Sequence, residues 1–359
     1  MECEPPYLPL PSTAPKGRGT GLNPANRFEP LHHVPDPDCP PEEAADPRTQ
    51  YFFDGSESLL ARNDSPDIPF RYGLNAYRGC EHGCAYCYAR PYHEYLGWGS
   101  GIDFETKILV KLRAPELLRR ELSSRSWEPQ PIGMSGVTDC YQPAERQFRL
   151  TRQCLEVFAE FRNPVGIVTK NHLVARDADV LAELARYGCA AVFLTITTLD
   201  ADLASRLEPR ASRPQARLRA IRALADAGVP VGVMVAPVIP GLTEHELPQI
   251  LQAAREAGAR NAGYVVLRLP HAVKQIFEDW LAREEPLKKE RVLSRVRELR
   301  GGKLNVSDWA TRMKGEGIYA DQVHDLFKVA ARRAGLNETR TELSTGHFRR
   351  PGGVQMELL

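Results

Sequence analysis

A chain of 359 residues with 42% hydrophobic and 26% charged residues has the composition of a globular protein long enough to bury a sizeable core, which excludes disorder as its default state. Its 47 basic and 46 acidic residues leave a formal charge of +1, so a global pull toward nucleic acid or an anionic membrane is excluded and only local patches remain. No apolar run is long enough to span a bilayer and the N-terminal residues form no apolar signal core; a cytoplasmic protein with no membrane partner is expected.

Residues 1–66 are rich in Pro, Asp, Glu and Asn, with turn signals at Asp36-Pro37-Asp38 and Pro40-Pro41, and read as an extended N-terminal arm. Within it, Lys16-Gly17-Arg18-Gly19-Thr20 reads on residue types as a solvated flexible stretch. From 67 to 270, short apolar runs alternate with helix-period segments. The expected strands are Gly73–Tyr77, Ile132–Thr138, Val165–Thr169, Ala190–Thr197, Pro230–Pro237 and Ala262–Leu269.

Between them, Val180, Leu181, Leu184 and Tyr187 share one helix face; Leu218, Ile221 and Leu224 share another, and Leu247, Ile250, Leu251 and Ala254 a third. Thr243 with Glu246 suggests a capping box, and Gly228 followed by Pro230 closes the preceding helix. Strands separated by single helices imply βαβ units and a parallel sheet. Period alone leaves open a partial (β/α)6 barrel or a doubly wound sheet. Gly97, Gly99 and Gly101 read as a flexible turn. Residues 271–359 read as a mostly helical extension, with Ile276, Phe277, Trp280 and Leu281 on one apolar face and Leu287 to Leu299 supplying another; the tail Leu343–Pro351 is a candidate edge strand.

Three of the eight cysteines crowd into Cys80-Glu-His-Gly-Cys84-Ala-Tyr-Cys87; Cys3, Cys39, Cys140, Cys154 and Cys189 are scattered. A secreted disulfide scaffold is smaller and spreads its cysteines, so the cluster points to metal binding in a reducing compartment. Three soft thiolates on one short loop suit three corners of an iron–sulfur cubane, with one iron left open to bind and reduce a ligand. A Cys3His zinc site, with His82 or His93 as fourth ligand, is the structural alternative.

C-x3-C-x-Tyr-C after a first strand, on a chain of βα repeats, resembles the radical S-adenosylmethionine superfamily. The stretches Gly79–Arg90, Thr138–Glu145, Val168–His172, Leu194–Arg217 and Val233–Glu244 resemble its spore photoproduct lyase-related, DNA-repair-photolyase-like branch. The arm from Lys16 to Glu29 resembles an uncharacterised bacterial subgroup of that branch. The resemblance covers roughly residues 70–270. It implies a partial (β/α)6 TIM-type barrel, a 4Fe-4S cluster on Cys80, Cys84 and Cys87, and S-adenosylmethionine as second cofactor. It also implies a one-electron donor of flavodoxin or ferredoxin type, and reductive cleavage to a 5′-deoxyadenosyl radical that abstracts hydrogen from a substrate.

By the same resemblance Tyr86, Lys170, Thr195 and Ala236 contact the cofactor; Asp139, Thr197 and Glu208 join them as polar residues on the rim formed by the strand ends. Glu208 is weighed against a solvated carboxylate, Asp139 against a strand-end turn residue, and Arg217 reads as a solvated helix face. The branch uses an additional cysteine in this region as hydrogen-atom donor. Here the aligned position is Gly136, so Cys140 is a candidate donor from a shifted position, set against a small buried residue. DNA is the substrate class the branch implies, with a lyase-like repair reaction. Arginine-rich helices at Leu117–Arg125 and Ala216–Arg222 are candidate phosphate contacts. Radical modification of a peptide or small metabolite, and a zinc-stabilised nucleic-acid-binding module, are the competing readings.

Overall fold

The computed structural model describes residues 14–29 and 48–351. Cys3, Cys39 and the turn signals at 36–41 lie outside the described residues. Among the described residues ten strands follow in chain order: β1 Gln50–Phe53, β2 Leu60–Arg62, β3 Tyr72–Leu74, β4 Tyr77–Arg78, β5 Lys107–Val110, β6 Ile132–Met134, β7 Val165–Thr169, β8 Ala190–Thr195, β9 Val231–Val238 and β10 Asn261–Val266. Six of them, β3, β6, β7, β8, β9 and β10, lie side by side in chain order and all parallel; β2 adds antiparallel to the β3 edge. A smaller sheet joins β1, β5 and β4.

The strand order settles what periodicity left open. A doubly wound sheet reverses its order at a switch point and puts helices on both faces. Here the order never reverses among the six parallel strands, so right-handed crossovers lay the helices on one face. The helices Ala114–Ser123, Leu150–Phe161, Ala178–Ala185, Pro214–Asp226 and Leu247–Glu256 accordingly pack each against the next. The result is an open wedge of a barrel. The helical extension comprises Val273–Glu284, Lys289–Glu298 and Ile318–Arg333, the last packed on Leu247–Glu256. Phe277, Trp280 and Leu281 belong to an apolar cluster with Cys84, Ala85 and Tyr86, so the extension supports the cysteine loop from below.

Several expectations are corrected. β6 stops at Met134 because Ser135 takes φ +80°, a left-handed conformation that breaks a strand, and Thr138 and Asp139 therefore stand on the following loop. Thr243 and Glu246 form no capping box: Thr243 Oγ1 accepts from the Ile239 amide, and the Glu246 carboxylate accepts from Thr198 Oγ1 and the Leu199 amide. Leu287 is 99% exposed and precedes a helix that buries Val292, Leu293 and Val296. The tail 343–351 forms no strand. It docks by the Ser344 amide on Gly188 O, the Arg349 amide on Phe161 O, and Phe348 against Phe161.

The basic N-terminal segment is solvated only in part, at Lys16 and Gly17. Gly19 and Thr20 are buried, and a Cβ on Gly19 would fall 1.7 Å from Gly83 O of the cysteine loop. The Gly97–Gly101 turn is likewise packed: a Cβ on Gly101 would lie 1.9 Å from Leu22 O, where the Ile102 amide donates to the same carbonyl at 2.9 Å. Glycine is required at both places because two backbones meet there. The arm also supplies β1 and β2, strands its composition did not signal.

Candidate active site

The cysteine loop follows β4 at the C-terminal end of the first parallel strand and is anchored on every side. The Cys80 amide donates to Phe104 O at 2.8 Å and the Ala85 amide to Leu207 O at 3.1 Å. Gln142 accepts from the Glu81 amide and donates to Gly79 O, which also takes Thr138 Oγ1 at 2.5 Å. Arg90, wholly buried, donates twice to Cys84 O and once to Gly101 O, and pairs at 2.5 Å with buried Glu105. Glu105 in turn accepts from the Gly19 amide at 3.0 Å. Arg90 and Glu105 were missed in the sequence, where nothing distinguishes them from surface charges.

Burial pushes the thiols of Cys80, Cys84 and Cys87 up from their ordinary range. Ionising them is work that a bound cation supplies. The thiolates of a cubane go to different irons, and three soft thiolates on one short loop are a donor set that suits its corners. His82 does not offer a free nitrogen to zinc: Nδ1 faces Asp139 at 3.4 Å and Nε2 faces Asn171 at 3.2 Å. His93 lies between the rings of Trp98 and Phe104, and burial lowers its pKa to about 4.

Beside the loop, five of the cofactor-binding candidates form one connected polar group. Tyr86 OH bonds to the Glu208 carboxylate and lies 3.2 Å from Thr197 Oγ1. Thr197 Oγ1 donates to Glu208 at 2.7 Å, and Lys170 Nζ donates to Ala236 O at 2.8 Å while standing 3.4 Å from Glu208. The Lys170 ammonium also sits 5.5 Å from the Tyr86 ring centre. These residues come from the cysteine loop, the ends of β7 and β8, the loop after the 201–207 helix, and β9. Sequence separation reaches 150 positions, yet the strand ends bring them together.

Arg217 completes the group and corrects its sequence reading. It is 1% exposed, pairs with Glu208, and donates to Thr195 O at 2.7 Å and Ser212 O at 2.7 Å. Burial alone would raise the Glu208 carboxyl, but the charges of Arg217 and Lys170 hold it well below the usual range. Thr195 is buried and reaches the group through its carbonyl on Arg217. Asp139 stands one step back. It accepts from Thr169 Oγ1 at 2.7 Å, the Lys170 amide at 2.8 Å and the Tyr141 amide at 2.8 Å, and faces His82, so it ties the cysteine loop to the end of β7. Cys140 lies apart: it is 1% exposed and packs in the main apolar core, not with the cluster cysteines.

Of the six arginines on the two helices named as candidate phosphate contacts, Arg125 and Arg219 are exposed and the others are bound to protein. Arg119 pairs with Glu160, Arg120 donates to Glu57 O, and Arg222 to Glu256 O. A different set stands at the β10 end of the rim. Arg268 lies 5.4 Å over the ring of Tyr88, its Nε is buried without a partner, and Arg312 lies 5.1 Å over Trp309. Tyr88, Tyr92, Tyr95 and Trp309 are 43%, 52%, 68% and 45% exposed.

Residues 74–254 match the sequence profile of the Radical SAM superfamily. An uncharacterised protein of Mycobacterium tuberculosis is 39% identical over 65% of this chain and 68% of its own length, and one of Methanocaldococcus jannaschii is 32% identical over 49% of this chain and 63% of its own. Among solved structures, spore photoproduct lyase complexed with dinucleoside spore photoproduct superposes with a TM-score of 0.53 at 17% identity, covering 80% of each chain. A variant of that lyase with bound AdoMet and the same dinucleoside gives 0.54 at 18%, again covering 80% of each. The fold is that of these enzymes, and the matched span carries the three-cysteine loop and the whole polar group around Glu208. The chain belongs to the radical S-adenosylmethionine superfamily of enzymes.

Proposed function

We propose that Cys80, Cys84 and Cys87 hold three irons of a 4Fe-4S cluster, and that Tyr86, Lys170, Thr195, Thr197, Glu208 and Ala236 line the S-adenosylmethionine site beside it. The observation that carries this reading is the connected group Tyr86–Thr197–Glu208–Lys170–Ala236, built on the loop that bears the thiols. When bound, the reduced cluster supplies the electron that splits S-adenosylmethionine into methionine and a 5′-deoxyadenosyl radical.

The protein's part is positioning. Lys170 and Arg217 set against Glu208 leave one positive charge uncompensated, which suits the methionine carboxylate. Glu208, kept ionised by those two cations, accepts hydrogen bonds and suits the ribose hydroxyls. Asp139 orients Lys170 through its backbone amide and is a positioning residue. Burial of the loop by the arm and by Trp280 keeps water from the thiols.

The substrate class favoured by the rim is nucleic acid. Exposed Tyr88, Tyr92, Tyr95 and Trp309, with Arg268 over the Tyr88 ring and Arg312 held beside Trp309 by Asp67, offer stacking faces and one unpaired cation of the kind that bind unpaired bases and phosphates. Anaerobically reconstituted protein tests the reading. We expect iron and sulfide bound, and 5′-deoxyadenosine and methionine formed together, both lost in Cys80→Ala. Salt-sensitive binding of single-stranded DNA, weakened in Tyr92→Ala, is expected for the nucleic-acid substrate. Cleavage without any such binding would favour a peptide or small metabolite.

A further inference from the structure

A cavity of about 400 Å³ opens on the outer side of the cysteine loop, lined by Pro15, Lys16, Gly17, Arg18, Arg48, Thr49, Tyr51, Glu81 and Arg210. Among the described residues four cations line it against one carboxylate, in a chain whose net charge is only +1. None of the residues in the Glu208 group lines it.

The carboxylate and two of the cations serve the fold. Glu81 is 1% exposed and takes Thr49 Oγ1 at 3.0 Å, Tyr51 OH at 3.4 Å and Arg210 at 3.4 Å. Arg210 also donates to Thr49, and Arg18 to Thr49 and Glu105 O. Lys16 and Arg48 are exposed at the mouth, and neither forms an ion pair among the described residues. The floor of the cavity is one residue from a cluster ligand, because Glu81 follows Cys80, and the Arg210 amide bonds to His82 O within the loop at 3.2 Å.

We infer that this basic cavity is where an acidic one-electron carrier protein docks, delivering its electron through the loop at Cys80 while the substrate enters over the strand ends. The inference rests on the proposed cluster. The carrier, a flavodoxin- or ferredoxin-type protein with an acidic face, loses one electron and the iron held by Cys80, Cys84 and Cys87 gains it; no bond forms or breaks and no proton moves. Opposite charge at the two surfaces speeds encounter and makes it sensitive to salt. Separate faces let the carrier bind while the reaction chamber is occupied.

The test uses reconstituted holoprotein, a purified acidic flavodoxin, and the double variant Lys16→Glu/Arg48→Glu. Flavodoxin binding by calorimetry and the rate of cluster reduction by flavodoxin hydroquinone are measured at low and high salt. We expect both to fall by about tenfold or more in the variant at low salt and to converge with wild type at high salt. Reduction and S-adenosylmethionine cleavage driven by dithionite, which needs no docking surface, should be unchanged. Equal flavodoxin binding and reduction in the two proteins overturns the inference while leaving the cluster intact. A small-anion site is the other overturning outcome, seen as saturable binding of inorganic phosphate lost in the variant with flavodoxin reduction retained. Absence of iron in the wild type would instead sink the cluster reading itself.

Discussion

Two buried carboxylates flank the cysteine loop, and their surroundings differ in a way that separates scaffold from site. Glu105 is wholly buried and its partners are all protein: Arg90 on one oxygen and the Gly19 amide on the other. Its arginine is equally enclosed, spending its remaining donors on loop carbonyls. Glu208 is just as buried and also holds an arginine, but its second cation, Lys170, has a side chain 15% exposed. The first pair is charge-balanced and closed. The second carries one positive charge too many, and its lysine is not fully buried. A closed pair fixes the shape of a loop; an unbalanced one suits the anion proposed to bind there.

Breaking the closed pair should cost most. Glu105→Ala strands the Arg90 guanidinium in the interior and releases the arm from the loop, so a loss of about 3–5 kcal/mol is expected. Thermal denaturation of the anaerobic protein, with iron retained per chain as a second readout, checks this. Stability equal to wild type would mean the arm and Arg90 do not hold the loop.

Lys170→Met should do the reverse, leaving stability within about 1 kcal/mol while weakening S-adenosylmethionine binding by about 1.5–3 kcal/mol, roughly 10- to 100-fold. Equilibrium binding to the reconstituted protein reads the affinity, and a denaturant melt reads the fold. Unchanged affinity would remove the open pair from the cofactor site. The smallest effect is assigned to Cys140→Ala. As a core residue it should cost about 1 kcal/mol and leave the ratio of 5′-deoxyadenosine to product unaltered. A changed ratio at undiminished stability would return Cys140 to the reacting groups.

The site was legible in the sequence to the extent that its chemistry is local. Cys80, Cys84 and Cys87 sit within eight positions, Lys170 falls just beyond the expected strand Val165–Thr169, and Thr197 ends the expected strand Ala190–Thr197. Arg217 was misread for the opposite reason. A lone arginine on a helix has the same local signature whether it meets solvent or a carboxylate nine positions earlier. Gly19 was misread as part of a solvated flexible stretch and Gly101 as a flexible turn, when each is a point of contact with a segment distant in the chain.

What the amino-acid order determined by itself is the set of short-range facts: the thiol spacing, the alternation of strand and helix, the faces of the helices. Those depend on residues a few positions apart. The open barrel wedge, the closed Arg90–Glu105 pair, the unbalanced group around Glu208 and the basic cavity behind Cys80 were decided only by the tertiary structure. Each depends on which distant segments meet, and on whether a buried charge finds its counterpart when they do.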